Sequence, residues 1–163
     1  MHSFEHISDI LTDINLNFAE QSDIEFIIRL SGQVFSVYGP YDEIVPRWFS
    51  SGETHTIIAR MKDRPIGFVM IGYFTWRYDL AATAEIMAIA VDPELHNMGI
   101  GSMLLKKIEE KAADLNVKRL FLHTAVNNFP AQKLFKNSGY RLWEVKKDFY
   151  QGGQDAFVMT RDL

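Results

Sequence analysis

The 163-residue chain contains no cysteine, so it can form neither a disulfide nor a thiolate zinc site, and it has no cysteine nucleophile. Long apolar runs are also lacking, since no stretch approaches the roughly 18 residues that a membrane-spanning helix needs. The first residues lack the basic and apolar regions of a signal peptide. We therefore expect a cytoplasmic protein without membrane association.

Basic residues are the minority charge, with 17 Lys and Arg against 21 Asp and Glu and a net charge of −4. This balance argues against a nucleic-acid partner. The five histidines show no His-x-x-x-His spacing, so we expect no metal site. The length and the 47% apolar content are typical of one globular domain. We expect a single domain over residues 1–163, with residues 1–13 as a flexible or loosely packed N-terminal extension.

Hydrophobic periodicity predicts about seven strands and four helices along the chain. The predicted strands lie at residues 14–18, 55–60, 66–76, 84–91, 119–126, 140–150 and 156–160. The predicted helices lie at residues 22–38, 43–49, 100–116 and 128–135. This β-α-α-β-β-β-α-β-α-β-β order mixes antiparallel hairpins with a β-α-β crossover. It indicates a mixed α/β (α+β) fold, in which helices flank a central mixed sheet.

Three local signals give sharper structural expectations. Ser22 and Glu25 have the spacing of a capping box, which predicts the start of the first helix. The sequence Lys62-Asp63-Arg64-Pro65 predicts a hairpin turn that contains the proline. The run 84–91 is apolar except for Glu85, so we expect a strand that is buried on both faces and central in the sheet.

The segment from Val91 to Ser102 joins a buried strand to a helix through a turn that contains Gly99 and Gly101. Free N–H groups and the helix dipole favour an anion at such a helix start, and glycines let a phosphate approach the backbone. The segment lacks the Gly-Lys-Ser/Thr of a Walker loop and the spacing of a dinucleotide fingerprint. Its residues alone indicate either a pyrophosphate site or a helix entry that uses glycine for steric reasons.

Two motifs carry a resemblance to a known superfamily. His96-Asn97-Met98-Gly99-Ile100-Gly101 resembles the acyl-CoA-binding motif Gln/Arg-x-x-Gly-x-Gly/Ala of the GNAT superfamily of N-acyltransferases, with histidine in the first position. Residues 128–140 resemble a second motif of that superfamily, Asn-x-x-Ala-x-x-Leu-Tyr-x-x-x-Gly-Phe. The predicted element order is also the order of the superfamily. The resemblance covers residues 14–163 and implies a GNAT domain that uses acetyl-CoA.

The resemblance implies that acetyl-CoA lies where the fourth and fifth strands splay apart, with its pantetheine arm paired to the fourth strand. A backbone N–H near Ile89 would hold the oxyanion. Asn128 would contact the cofactor, although an ordinary helix cap also explains it. Phe135 stands where many members have a tyrosine that protonates the departing thiolate, so the general acid is unassigned. The implied cofactor-binding residues are Ile89, Ala90, Val91, His96, Asn97, Met98, Gly99, Ile100, Gly101, Ser102, Asn128 and Phe135.

The last predicted hairpin narrows the resemblance to one subgroup. Phe149 and Tyr150 resemble the paired aromatic residues of the acetyltransferases that modify protein N-termini, including the ribosomal-protein alanine N-acetyltransferases. This implies that Tyr150 bonds the peptide backbone. His123 matches a histidine that orders a water as general base in some of these enzymes, and Glu85 is the rival base. The sequence leaves open which of the two acts, or whether either one is structural.

The first two helices flank the thioester in the resembled fold, which makes Phe35, Tyr38 and Tyr41 candidate acceptor-binding residues alongside Phe149 and Tyr150. We expect direct acetyl transfer, in a ternary complex, to the N-terminal α-amine of a protein or peptide. A small-molecule amine, a lysine side chain and a non-catalytic CoA-sensing role are the alternatives. We expect a monomer or a homodimer.

Overall fold

The computed structural model of the chain describes residue 9, residues 11–73 and residues 82–163. Most of the predicted N-terminal extension and the end of the third predicted strand, residues 74–76, lie outside the described residues. Every helix within the described ranges is too short or too polar to cross a membrane.

The predicted order of strands and helices is confirmed in the described residues. The strands are β1 (Ile14–Phe18), β2 (Thr54–Met61), β3 (Arg64–Tyr73), β4 (Thr83–Val91), β5 (Arg119–Ala125), β6 (Arg141–Lys146) and β7 (Ala156–Asp162). The helices are α1 (Ile24–Phe35), α2 (Tyr41–Ser50), α3 (Ile100–Asp114) and α4 (Phe129–Asn137). The predicted strand at 140–150 is too long, because residues 147–155 form the connection between β6 and β7.

The strands form one sheet in the order β1-β2-β3-β4-β5-β7-β6, with β4 in the middle as predicted. The pair of β4 and β5 is parallel, and the other neighbours are antiparallel. The prediction that β4 is buried on both faces is wrong, because buried and half-buried residues alternate along it. The half-buried residues Glu85, Met87 and Ile89 line an open cavity, which explains the difference.

Helices cover the two faces of the sheet unequally. On one face, α3 packs its buried side chains Leu104 and Ile108 into the larger core cluster. On the other face, α1 and α2 place Ile27 and Val45 in a second cluster against Phe68 of β3. The main sheet contacts of α1 and α2 are with β2, β3 and β4. On this second face, β5, β7 and β6 lie beside the two helices and form the floor of a cleft.

The first helix does not begin as the capping-box prediction has it. A short 3₁₀ turn at Gln21–Asp23 precedes α1, and the Glu20 N–H donates to the Asp23 carboxylate at 2.8 Å. Asp23 also forms an ion pair with Arg60 of β2. The prediction that Ser22 caps the helix is therefore wrong, since an acidic residue buried against the sheet anchors this end of α1.

The β2–β3 hairpin also differs from its prediction. Its turn consists of Lys62 and Asp63, which adopt positive φ angles of 48° and 67°. Two such residues form the type of tight turn that matches strand twist. Pro65 lies in β3, opposite an irregularity between Ala59 and Arg60, where a missing N–H is tolerated.

Candidate active site

The cavity begins where β4 and β5 separate. Their parallel pairing covers only Thr83–Ile86 against Arg119–Leu122. The register of β4 against β3 shifts just after Ile86, between the pairs Ile71–Ile86 and Met70–Ala88. The remainder of β4 pairs with β3 alone, so its other backbone edge faces a gap. This is the splay that the family resemblance implied for the pantetheine arm.

The gap opens into a cavity of about 980 Å³ between the sheet and the first two helices. The structure brings many of the predicted site residues together in its lining, namely Phe35, Tyr38, Tyr41, Glu85, Ile89, His123, Asn128, Phe135, Phe149 and Tyr150. The other predicted cofactor residues lie outside this lining, at the end of β4 and around the start of α3. The functional roles of both groups stay predictions.

The two rival bases form a single unit. The Nδ1 atom of His123 lies 2.8 Å from the Oε1 atom of Glu85, and the side chains are only 12% and 15% exposed. An ionised carboxylate accepts the Nδ1–H, which leaves the Nε2 atom of a neutral imidazole with a lone pair. Within the described part of the chain, that Nε2 atom has no hydrogen-bond partner. The arrangement gives a carboxylate-oriented imidazole whose buried Nε2 atom is left without a hydrogen-bond partner among the described residues.

The imidazole is also held in place by an aromatic contact. The ring of His123 stacks on Phe149, with 4.4 Å between the ring centroids and an interplanar angle of 6°. Phe149 in turn meets the edge of Tyr150 at 4.9 Å. The Glu85 bond and the Phe149 stack restrain the ring in two different ways, so the orientation of Nε2 is strongly defined.

Three tyrosines form the wall next to this imidazole. The ring centroid of Tyr150 lies 5.1 Å from that of Tyr38 and 6.4 Å from that of Tyr41. Burial raises the pKa of Tyr150, and the nearby Tyr41, Tyr38 and Glu85 raise it further. Burial also raises the pKa of Tyr38 and of Tyr41. All three phenols therefore keep their protons and can donate hydrogen bonds at neutral pH.

A backbone bridge joins two walls of the cavity. The Gly152 N–H donates to the carbonyl of Tyr38 at 3.2 Å, and the Gln154 side-chain amide donates to the carbonyl of Val37 at 2.9 Å. A Cβ atom on Gly152 would lie 2.3 Å from the Val37 oxygen, so only glycine allows this approach. The sequence does not predict this bridge, because a glycine pair such as the one at 152–153 indicates only a turn.

The start of α3 fits the anion site that the sequence suggested. Gly99 has a φ of 84°, and nothing lies within 4 Å of the place where its Cβ would be, so the backbone there is open to a ligand. The Nε2 atom of His96 lies 2.9 Å from the carbonyl of Val91, so this ring atom is used within the fold. The main-chain N–H groups are then the natural phosphate ligands.

Asn128 and Phe135 occupy the other wall of the gap, on the α4 side. The Oδ1 atom of Asn128 accepts the Ala131 N–H at 3.3 Å, so this residue caps α4 and also lines the cavity. Phe135 is 3% exposed and packs edge-on against Tyr140, with 5.8 Å between the ring centroids. The Tyr140 hydroxyl donates to Glu109 instead, at 3.3 Å. Neither Phe135 nor Tyr140 supplies a proton donor to the cavity.

The comparisons with known proteins agree with this geometry. The family model described as the acetyltransferase (GNAT) family matches residues 24–140. An N-alpha-acetyltransferase of Sulfolobus acidocaldarius is 27% identical over 155 residues, which cover 91% of this chain and 92% of that protein.

Two solved structures share the fold. The ribosomal-protein-alanine N-acetyltransferase from Brucella melitensis has a TM-score of 0.79 at 17% identity, over 91% of this chain and 99% of that one. A GNAT family acetyltransferase from Elizabethkingia anophelis with acetyl-CoA bound has a TM-score of 0.72 at 21% identity, over 93% and 99% of the two chains. With its splayed strands, its glycine turn and the family match over residues 24–140, the chain belongs to the GNAT family and is an acetyltransferase.

Proposed function

We propose that this acetyltransferase uses acetyl-CoA to modify the N-terminal α-amine of a protein or peptide. The observation that carries the proposal is the Glu85–His123 pair, which shares one cavity with the tyrosine wall of Tyr38, Tyr41 and Tyr150. The pair supplies a proton acceptor, and the wall supplies hydrogen-bond donors next to it. An N-terminal residue presents an amine and a carbonyl close together, which suits a proton acceptor and hydrogen-bond donors in one cavity.

When bound, acetyl-CoA supplies an acetyl group that is activated as a thioester. The residues that would hold it are the unpaired edge of β4 around Ile89, the open glycine turn at Gly99 and the α4 start at Asn128. The glycine turn suits a pyrophosphate because its N–H groups and the α3 dipole both favour negative charge. The β4 edge offers backbone groups to an extended arm, as a neighbouring strand would.

His123 is the proposed general base. The pKa of a free α-amine is about 8, so most of it is protonated at neutral pH and must lose a proton before it attacks. The Nε2 atom of His123 takes that proton, directly or through one water, and Glu85 stabilises the resulting imidazolium through Nδ1. This assigns the base to His123 and makes Glu85 its positioning residue, two roles that the sequence left open.

The tyrosine wall favours an α-amine over a lysine side chain. In an N-terminal residue, the first carbonyl is two bonds from the amine, so a phenol close to the base can donate to it. In a lysine, four methylene groups separate the amine from the backbone. The Tyr150 hydroxyl, which stays protonated, is the proposed donor to that first carbonyl.

The test is an acetylation assay with peptides that differ only in the available amine. One peptide has a free N-terminus and no lysine, a second has a blocked N-terminus and an internal lysine, and a polyamine represents small amines. Thiol release measures turnover, and mass spectrometry locates the acetyl group. We expect acetylation of the free N-terminus. Modification of the lysine peptide or the polyamine alone would contradict the proposal, and acetyl-CoA binding without turnover would favour the sensor role.

A further inference from the structure

The cavity continues past the Glu85–His123 pair along the cavity-side face of β5, β7 and β6. Phe121 and Arg119 line this extension from β5, followed by Thr160 from β7 and Trp143 from β6. We call this extension, formed by Arg119, Phe121, Trp143 and Thr160, the Trp143 face. The rings of Phe121 and His123 are 6.0 Å apart, so the face is continuous with the proposed base.

Trp143 is the most conspicuous residue of this face. It lies on the edge strand of the sheet and is 65% exposed. The Arg119 guanidinium lies 5.8 Å from the centroid of its ring. The register of β6 against β7 shifts between Leu142 and Glu144, and Trp143 and Glu144 both line the cavity while Leu142 does not. A bulge of this kind lets two successive residues face the same side of the sheet, so Trp143 and Glu144 both lie on the cavity side.

The charges beside the indole comprise two pairs and the exposed Arg141, which lies opposite Thr160 in the register of β6 against β7. Arg119 forms an ion pair with Asp162 at 2.7 Å, and Lys146 lies 4.0 Å from Glu144. Arg141 therefore adds a positive charge at the rim, and the largest accessible group of the face itself is the aromatic ring of Trp143. Tryptophan is among the residues that contribute most to binding at protein interfaces. An apolar or aromatic side chain is the partner that suits this surface.

We propose that the Trp143 face binds the acceptor peptide downstream of the residue that is acetylated. This inference rests on the proposed function. Arg119 lies four residues before His123 on β5, which is about 13 Å at the usual rise of a strand. An extended peptide covers that distance with about four residues. An apolar side chain near the fifth position of the acceptor would therefore contact Trp143.

The test compares Trp143→Ala with Leu142→Ala, a matched control on the same strand that is 55% exposed and does not line the cavity. The substrates are a dipeptide and two hexapeptides that share its N-terminus and carry leucine or aspartate at position five. In the wild type, we expect kcat/KM to be about tenfold higher for the leucine hexapeptide than for the dipeptide. Trp143→Ala should abolish this advantage, and Leu142→Ala should preserve it.

Two results would overturn the inference. Equal kcat/KM for the dipeptide and both hexapeptides in the wild type would show that nothing downstream is bound. A change in the sedimentation of Trp143→Ala, with the hexapeptide advantage intact, would show instead that the face joins two copies of the chain. If the wild type acetylates none of these peptides but acetylates a lysine or a polyamine, the proposed function fails, and that result is distinct from equal kcat/KM values among the peptides.

Discussion

Two half-buried glutamates lie on opposite sides of the sheet and have different partners. On the α3 side, Glu109 forms an ion pair with Arg161 and accepts a hydrogen bond from Tyr140. On the cavity side, Glu85 bonds His123. Arginine keeps its proton at any pH that a protein meets, whereas histidine gains and loses one near neutrality. The partner, more than the carboxylate itself, separates a structural pair from one that can move a proton.

The hydrogen-bond partners around the two pairs also distinguish a structural pair from one that can move a proton. Burial raises the pKa of Glu109, although Arg161 and Tyr140 act against this shift. Both oxygens of Glu109 have partners in the structure. On the cavity side, the Nε2 atom of His123 has none among the described residues. A carboxylate whose two oxygens both have partners holds elements together, whereas a pair that leaves a ring nitrogen without a partner is suited to chemistry.

The largest expected effect comes from the cavity side. His123→Gln keeps a polar side chain but removes the base, so kcat/KM for a peptide acceptor should fall by about 10²- to 10⁴-fold. Steady-state assays of thiol release measure this loss. Calorimetry should find acetyl-CoA affinity unchanged, because His123 is proposed to act on the acceptor amine and not to bind the cofactor. Full activity of His123→Gln would mean that another group takes the proton.

Replacing each of the two glutamates by glutamine, one at a time, tests the comparison directly. Glu85→Gln should lower kcat/KM by about 10- to 100-fold, because the carboxylate that orients the imidazole is lost. Glu109→Gln is the matched control, which should keep kcat/KM and affect only stability. Thermal unfolding of both variants separates the two effects. Equal activity losses in the two variants would remove the proposed distinction between the pairs.

The bridge between the cavity walls should matter for the acceptor and not for the donor. Gly152→Ala places a Cβ atom against the Val37 carbonyl, which separates the loop that carries Tyr150 from Tyr38. We expect the peptide KM to rise about tenfold, with acetyl-CoA affinity unchanged. Gly153→Ala is the control for backbone strain in the same loop. Its positive φ of 91° strains an alanine, but no atom lies within 4 Å of the added Cβ. A similar peptide KM in the two variants would show that the bridge does not contribute to acceptor binding.

The smallest effect concerns the tyrosine wall. Tyr150→Phe removes one hydrogen bond to the acceptor, so peptide kcat/KM should fall by about fivefold. Because burial and its neighbours raise the pKa of Tyr150, the wild-type phenol keeps its proton beyond the usual value of about 10. The ratio of wild-type to variant kcat/KM should therefore stay constant as the pH rises from neutral to about 10. A ratio that falls toward 1 in the alkaline range would show that this phenol loses its proton there.

Several features followed from local sequence because they depend on residues close together in the chain. The apolar run of β4 predicted its central place in the sheet, and Asn128 marked the start of α4. The errors at Ser22 and Pro65 share one cause. In each case pairing with a strand, through the Asp23–Arg60 ion pair or the register of β2 against β3, overrode the preference of the isolated segment.

The sequence by itself determined the element order, the glycine turn at the start of α3 and the identity of the candidate residues, because spacing and side-chain chemistry carry this information. Only the tertiary structure decided how those residues combine. Glu85 and His123 are 38 positions apart and meet because β4 and β5 pair in parallel before they splay. Gly152 meets Tyr38 because the loop after β6 reaches the end of α1. Such contacts depend on strand register and packing, which no local pattern of residues specifies.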